Sequence, residues 1–121
     1  MNDAYTEKQR IIQELVPGKQ ITLAHIIASP DPVLYAKLGL APETADEGGA
    51  IGVMTVSPAE TAIIMADIAM KSAYVQMGFV DRFSGSLIIT GSVSSVEAAV
   101  SAILDYVRDK LSYTTVDITR T

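Results

Sequence analysis

The pattern of apolar and polar positions from residue 50 onward begins with a strand and a helix. The apolar, β-branched run at 51–56 predicts a buried strand. Ser57, Pro58 and Glu60 then form a capping-box pattern that predicts the start of a helix ending near Ser72. This helix is rich in alanine, and small side chains allow a second surface to come close, so we expect it to pack on two sides.

Two further apolar runs predict a β-hairpin. The run at 74–80 reads as a strand, the polar stretch Asp81–Ser86 interrupts it, and the run at 87–90 returns as its partner. The hairpin loop contains two charges, an aromatic residue and Gly85 between the two strands.

The end of the chain predicts a second helix and a last strand. Ser94 and Glu97 form another capping-box pattern. Alternation over 114–119 predicts a half-buried strand. One apolar stripe marks an amphipathic helix: Val96, Ala99, Val100, Ile103, Leu104, Val107 and Leu111. The order β-α-β-β-α-β predicts an α+β, ferredoxin-like unit with two helices on one face of an antiparallel sheet.

The N-terminal section adds three short elements. Residues 20–27 read as a strand passing into a helix, and Asp31-Pro32 predicts a short helix through Leu38 that Gly39 ends. The short apolar segment 11–16 precedes the Pro17-Gly18 turn: Ile11, Ile12, Gln13, Glu14, Leu15 and Val16. Since an exposed apolar strand needs a partner, this segment either joins the sheet or pairs with copies in other subunits. A homo-oligomer is therefore expected.

Composition excludes several classes of protein. The chain has 121 residues, which predicts one domain, and 49% of them are apolar, which excludes a disordered chain. It has no Cys and one His, so disulfides, thiolate metal sites and multi-His sites within one chain are excluded. The net charge of −5 argues against nucleic acid or an anionic membrane as partner. No stretch approaches the length of a membrane helix, and no signal peptide is recognisable, so a cytosolic location is expected.

Few residues are candidates for chemistry. His25 lies in an apolar run, where a structural role is favoured over a general base. Lys71 follows Asp67 at the predicted end of a helix, where its positive charge would interact favourably with the helix dipole. An ion pair, either internal between Asp81 and Arg82 or between subunits, is the simplest interpretation of the hairpin loop, and a loop that lines a site is the rival. Three acidic residues of the 31–50 connector lack the spacing of an EF-hand and read as a solvated loop: Glu43, Asp46 and Glu47.

Four segments carry a resemblance to a known family: Val16–His25, Ala50–Thr55, Gly78–Ser86 and Asp117–Thr121. Over about residues 10–121 the chain resembles the circularly permuted, single-domain shell proteins of bacterial microcompartments, of the ethanolamine-, propanediol- and choline-utilisation types. The resemblance implies a microcompartment (BMC) domain at 19–121, preceded by an extension and barrel strand at 1–18. The strand-and-helix unit at 19–40 would be moved from the end of the usual order to the front.

The resemblance also implies roles for particular residues. The segment 11–16 of each subunit would give one strand to a six-stranded intersubunit β-barrel over the centre of a hexamer. Lys71 would lie at the hexamer edge. The hairpin loop would face the central axis or pore: Asp81, Arg82, Phe83, Ser84, Gly85 and Ser86. The loop at 41–49 looks longer than in the nearest relatives.

The sequence therefore predicts a structural shell subunit and not an enzyme. Its expected partners are its own copies in a homo-hexamer, other shell proteins and a cargo targeting peptide, within the shell in the bacterial cytoplasm. No cofactor, metal, nucleic acid or membrane is expected. Two alternatives stay open: a docking module for an amphipathic targeting peptide, and a small-molecule-binding regulator on a ferredoxin-like fold.

Overall fold

The computed structural model describes residues 18–40 and 49–121. Within these ranges the chain forms five strands and three helices. The strands are β1 (Gln20–Ile27), β2 (Ala50–Ser57), β3 (Gln76–Asp81), β4 (Ser86–Gly91) and β5 (Thr119–Arg120). The helices are α1 (Pro32–Leu38), α2 (Thr61–Ser72) and α3 (Val93–Asp109). None of the helices in the described ranges is long and apolar enough to cross a membrane.

The strands form one sheet in the order β3-β4-β2-β1-β5. Neighbouring strands are antiparallel, except that β5 runs parallel to β1. The predicted α+β class and the element order after residue 50 are confirmed. The expectation of a purely antiparallel sheet is wrong, because the last strand lies outside β1 and follows its direction.

Two layers of apolar side chains cover the sheet. The larger core joins α2 and α3 to one face and contains the predicted stripe of α3, fully buried from Val96 to Val107. On the opposite face α1 covers one end of the sheet, where Tyr35 and Leu40 pack against Ile51. The fold therefore leaves the remainder of this second face without a helix among the described residues.

The boundaries of α1 agree with the sequence. Asp31 caps the helix by accepting a hydrogen bond from the Val33 amide at 2.9 Å, and Pro32 takes the first helical position. Gly39 ends it in the left-handed conformation, at φ 71°. These are the start and stop signals that the Asp-Pro and Gly residues predict. The neighbouring segment 20–27 is entirely strand, so the predicted passage into helix is wrong.

Neither predicted capping box forms. The Ser57–Pro58 peptide is cis, and α2 begins only at Thr61 after a turn. The amides of Thr61, Ala62 and Ile63 bond to the carbonyls of residues 58–60, so no side-chain cap is needed. At α3 the cap is Ser92, whose hydroxyl accepts from the Ser95 amide at 3.1 Å, and Glu97 instead pairs with Arg120.

The last strand is much shorter than the alternation over 114–119 predicts. Only Thr119 and Arg120 form β5, and Thr114 makes a separate bridge to Gln20 at the start of β1. The residues between them run outside the sheet. Alternating polarity alone therefore did not determine where this segment pairs.

Candidate functional site

The hairpin loop between β3 and β4 is built around the Asp81 carboxylate. The Phe83 amide and the Ser84 hydroxyl both donate to this carboxylate, each at 2.8 Å. Arg82 instead lies over the Phe83 ring, 5.0 Å from its centroid. The expected ion pair between Asp81 and Arg82 of one chain is therefore wrong, because the loop's own donors satisfy the carboxylate, and the intersubunit pair stays a prediction. Within the described residues the Arg82 guanidinium faces outward with no carboxylate partner.

Gly85 fastens this loop to the end of β2. Its carbonyl accepts from the Val56 amide at 2.9 Å, and its own amide donates to the Asp81 carbonyl at 2.9 Å. The residue is buried and has a φ of +79°. A β-carbon added here would lie 2.2 Å from the Val56 carbonyl oxygen, so only glycine fits.

The hydrogen bonds within the loop predict how it responds to pH. The Phe83 amide, and then the Ser84 hydroxyl, lower the pKa of Asp81 below its ordinary value. The ionised carboxylate therefore stabilises the turn at every pH above the ordinary value, and this stabilisation disappears as the pH falls through the lowered value. We expect a carbon-detected NMR titration to show Asp81 still ionised where a free Asp is half-protonated. The variant Ser84→Ala should move the midpoint upward, and an unchanged midpoint would contradict the assigned contact.

An apolar groove lies beside the loop. Its walls come from the start of α2 and the end of β3, and its residues are Ile63, Val80, Asp81, Arg82 and Phe83. Phe83 is 81% exposed and Ile63 is 50% exposed. Because large apolar side chains next to one another on a surface favour contact with a partner, this groove is a candidate interface.

The far end of α2 carries the predicted edge residue. The Lys71 ammonium pairs with the Asp67 carboxylate one turn earlier, at 2.8 Å, and the Asp67 hydrogen bond raises the pKa of Lys71. Ile64, Ile68 and Tyr106 form a shallow groove next to this pair. Lys71 is therefore an exposed charge that borders an apolar groove. Its ion pair with Asp67 is present in addition to the predicted interaction with the helix dipole.

His25 has a structural role. It lies on β1, where its Nδ1 is 2.6 Å from the Thr119 hydroxyl and its Nε2 is 2.9 Å from the Thr121 hydroxyl. Both ring nitrogens are thus used to hold the end of the chain on the sheet. This supports the structural reading over the general base.

Some predicted sites lie outside the described residues. These are the barrel strand 11–16 and the acidic residues Glu43, Asp46 and Glu47. Among residues 18–40 and 49–121 no group of His, Asp or Glu is arranged to hold a metal ion.

Sequence reasoning missed the particular residues of the exposed apolar face of α2. Four large side chains on or next to this helix are 45–88% exposed: Ile63, Ile64, Met70 and Tyr74. The signal was present, since this helix has apolar residues on all sides and such helices are normally buried. The alanine content predicted two-sided packing but did not identify these four residues.

Comparison with known proteins assigns the class. The BMC domain family matches residues 50–121. The chain therefore belongs to this family, and its curated relatives are bacterial microcompartment shell proteins.

Particular relatives match nearly the whole chain. The shell protein EutS of Escherichia coli (strain K12) is 50% identical over 114 residues, which are 94% of this chain and 98% of EutS. The shell protein CutR of Streptococcus intermedius is 51% identical over 111 residues, 92% of this chain and 91% of CutR. The structure described as a CutR flat hexamer, form 1, aligns with a TM-score of 0.80 at 48% identity and covers 88% of this chain and 94% of that chain. The chain is thus a structural shell protein and not an enzyme, as its sequence predicts.

Proposed function

We propose that this chain is a shell subunit that assembles as a homo-hexamer, and that these hexamers tile into the wall of a bacterial microcompartment. The observation that carries the proposal is the apolar groove of Ile63, Val80 and Phe83, continued along α2 by Met70. This surface is costly to leave in water, and a second copy of the chain would cover it. The structure of the CutR relative is described as a flat hexamer, and for this reason we propose six copies of this chain in the assembly.

The mass of the purified full-length protein tests the hexamer. Light scattering at micromolar concentration should give close to six times the 12.9 kDa chain mass. A monomer under these conditions would overturn the proposal.

The topology supports a circular permutation. After α3 the chain reaches the start of β1, where the Thr114 amide donates to the Lys19 carbonyl and the Ile21 amide donates to the Thr114 carbonyl, both at 2.9 Å. In a chain that began at β2, α3 could therefore lead directly into β1 and α1. We attribute the front position of residues 19–40 to such a permutation, with the domain boundary near residue 18.

The N-terminal segment would close the centre of the ring. Four of residues 11–16 are apolar, and the segment ends three residues before β1, so six copies placed around one axis would pair into a closed barrel that leaves no free strand edge. Such a barrel would make passage of solutes through the hexamer negligible. The charged variants Ile12→Asp and Leu15→Asp would open it.

The position of the hairpin loop at the hexamer axis predicts a cross-linking pattern. The chain has no Cys, so the variant Arg82→Cys carries a single exposed thiol per copy. Since each thiol reacts with one maleimide, we expect a short bis-maleimide to convert most copies of this variant into covalently linked pairs. Asp105→Cys, on the exposed side of α3, is the matched control and should stay as single chains on a denaturing gel. If Arg82→Cys gives no more linked pairs than Asp105→Cys in a protein that is hexameric by mass, the loop does not lie at the axis.

If Lys71 lies at the hexamer edge, its removal should weaken the tiling of hexamers without affecting the formation of the hexamer. Since Lys71 is exposed and, among the described residues, pairs with Asp67 of its own helix, Lys71→Ala should leave the hexamer mass unchanged. Lateral contacts between hexamers should be weakened, so ordered sheets seen by electron microscopy should be lost. Lys37→Ala removes another exposed lysine and should preserve the sheets. Ordered sheets of Lys71→Ala would remove this residue from the edge.

The proposed partners and location follow from the assembly. Other shell proteins would lie at the hexamer edges, and the shell would lie in the bacterial cytoplasm.

A further inference from the structure

The groove beside Lys71, here called the edge groove, combines an apolar surface with both signs of charge. Ile64 and Ile68 of α2 and Tyr106 of α3 form its walls, and Asp67 and Lys71 lie along it. The side chains of Ile64 and Tyr106 are about half-exposed. Since large apolar side chains that stay in water favour contact with a partner, the edge groove is a surface that association would bury.

The two charges of the edge groove are open to further partners. Asp67 and Lys71 pair with each other at 2.8 Å, yet their side chains are 59% and 75% exposed. A carboxylate accepts several hydrogen bonds and an ammonium donates three, so this one contact leaves most of both groups unused. Because an exposed pair one helical turn apart stabilises its own chain only weakly, an exchange of partners costs little.

Tyr106 lies next to these charges. The pKa of Lys71 is raised first by Asp67, and Tyr106 adds to this rise, which places the hydroxyl of Tyr106 near the ammonium. Since Tyr106 belongs to α3, it extends the groove beyond α2. A partner that reached Lys71 would therefore also cover the Tyr106 ring.

The order of the charges makes the edge groove complementary to itself. Asp67 and Lys71 are four residues apart on one helix face, which separates them by about 6 Å along the helix axis. If two copies of α2 meet in opposite directions about a two-fold axis between these residues, each Lys71 lies opposite the Asp67 of the other copy. An interface of this kind uses the same patch on both sides. A second copy of the chain therefore fits both the charges and the apolar walls.

We propose that Asp67 and Tyr106 determine which edges this hexamer accepts. Lys71 of each copy pairs with Asp67 of a copy in the neighbouring hexamer, and the Tyr106 rings are covered between the two copies. The inference rests on the proposed tiling and deepens it, because it names the partner of Lys71 across the edge. Edges with the same order of charges fit, and an edge without an acidic residue opposite Lys71 is disfavoured, since interfaces discriminate through such unpaired charges.

Exchanging the two charges tests the reciprocal pairing. The double variant Asp67→Lys with Lys71→Asp keeps one charge of each sign, so its copies match one another and should form ordered sheets in electron microscopy. Asp67→Lys alone places two ammonium groups on every edge, and its sheets should be lost while the hexamer mass is kept. Asp105→Lys reverses another exposed carboxylate on α3 and should preserve the sheets. Absence of sheets from the double variant would overturn the proposal.

A mixture of the two matched proteins tests the specificity. Hexamers of the unchanged chain and of the double variant are labelled with different dyes and mixed, over a time in which native mass spectrometry finds no exchange of subunits. Every mixed edge would place like charges opposite each other, so the two dyes should separate into different sheets. Sheets that contain both dyes at random would show that Asp67 does not select the edge.

Tyr106 has its own test. Tyr106→Ala should raise the protein concentration needed for sheet formation about ten-fold, as the loss of a well-covered aromatic contact does. Tyr106→Phe keeps the ring and should restore most of the assembly. Val33→Ala removes another exposed apolar side chain and is the control. Equal behaviour of Tyr106→Ala and Val33→Ala would remove Tyr106 from the edge.

The outcomes also separate this inference from the proposed function. If the unchanged chain forms hexamers but no sheets under any of these conditions, the proposed tiling is wrong. If it forms sheets that both dyes share, the tiling stands and the assignment of Asp67 is wrong.

Discussion

The substitution Ile63→Asp is expected to convert the assembled protein into folded monomers. Ile63 is half-exposed on α2 and shares its groove with Val80 and Phe83, so in the proposed hexamer it is buried between two subunits. A carboxylate at this position would lose its water on assembly against the apolar side chains of Val80 and Phe83. This costs at least about 2 kcal/mol at each interface, and a closed ring contains six copies of that interface.

Two measurements separate this effect from misfolding. Because the core-facing residues of α2 are others, such as Ala62 and Met65, circular dichroism and the cooperativity of thermal unfolding should stay near those of the unchanged chain. Light scattering should show the mass of one chain. Ser101→Asp places the same charge on an exposed position of α3 and should keep the hexamer. A hexameric Ile63→Asp protein would show that this groove is not a subunit interface.

Gly85→Ala is expected to be the most destabilising small substitution in the hairpin. The alanine would have to adopt a φ of +79°, and its β-carbon would lie 2.2 Å from the Val56 carbonyl oxygen. Since the obstacle is backbone, the loop must move away from β2 and lose the bond between the Val56 amide and the Gly85 carbonyl. We expect a loss of about 3 kcal/mol in the free energy of unfolding.

Gly39→Ala is the matched control for this prediction. Gly39 also has a positive φ, 71°, but a β-carbon there would meet no atom within 4 Å. Its cost should be only about 1 kcal/mol, the conformational part alone. Urea unfolding of both variants gives the comparison. Equal losses would show that overlap with Val56 contributes nothing.

Signals that act within a few residues predicted most of the fold. The Asp31-Pro32 start and the Gly39 stop fix α1, and the apolar stripe from Val96 to Val107 is the buried face of α3. The polar stretch between two apolar runs gave the hairpin that carries the candidate axis loop. In each case neighbouring residues alone determine the local structure.

The errors arose where a distant part of the chain decides the outcome. Serines at 92, 94 and 95 could each cap α3. Because β4 ends at Gly91 and the helix begins at Val93, Ser92 is the residue at the cap position. Glu97, which would complete the predicted cap, pairs with Arg120 from the other end of the chain. In the hairpin loop, the adjacent opposite charges predicted an ion pair between Asp81 and Arg82. In the structure the amide of Phe83 donates to the Asp81 carboxylate instead.

The candidate site was harder to predict than the fold. Exposure of Ile63 and Met70 depends on which face of α2 meets the sheet, and an apolar helix without a clear polar face does not reveal this. The role of His25 depends on threonines more than ninety positions later in the chain. Local sequence patterns do not contain such contacts.

The central claim, that this chain builds a shell wall, is tested most directly by electron microscopy of the purified full-length protein. We predict rings with six-fold symmetry that pack edge to edge into sheets or curved layers. Single subunits or pairs, with no six-fold class among the imaged particles, would contradict the account.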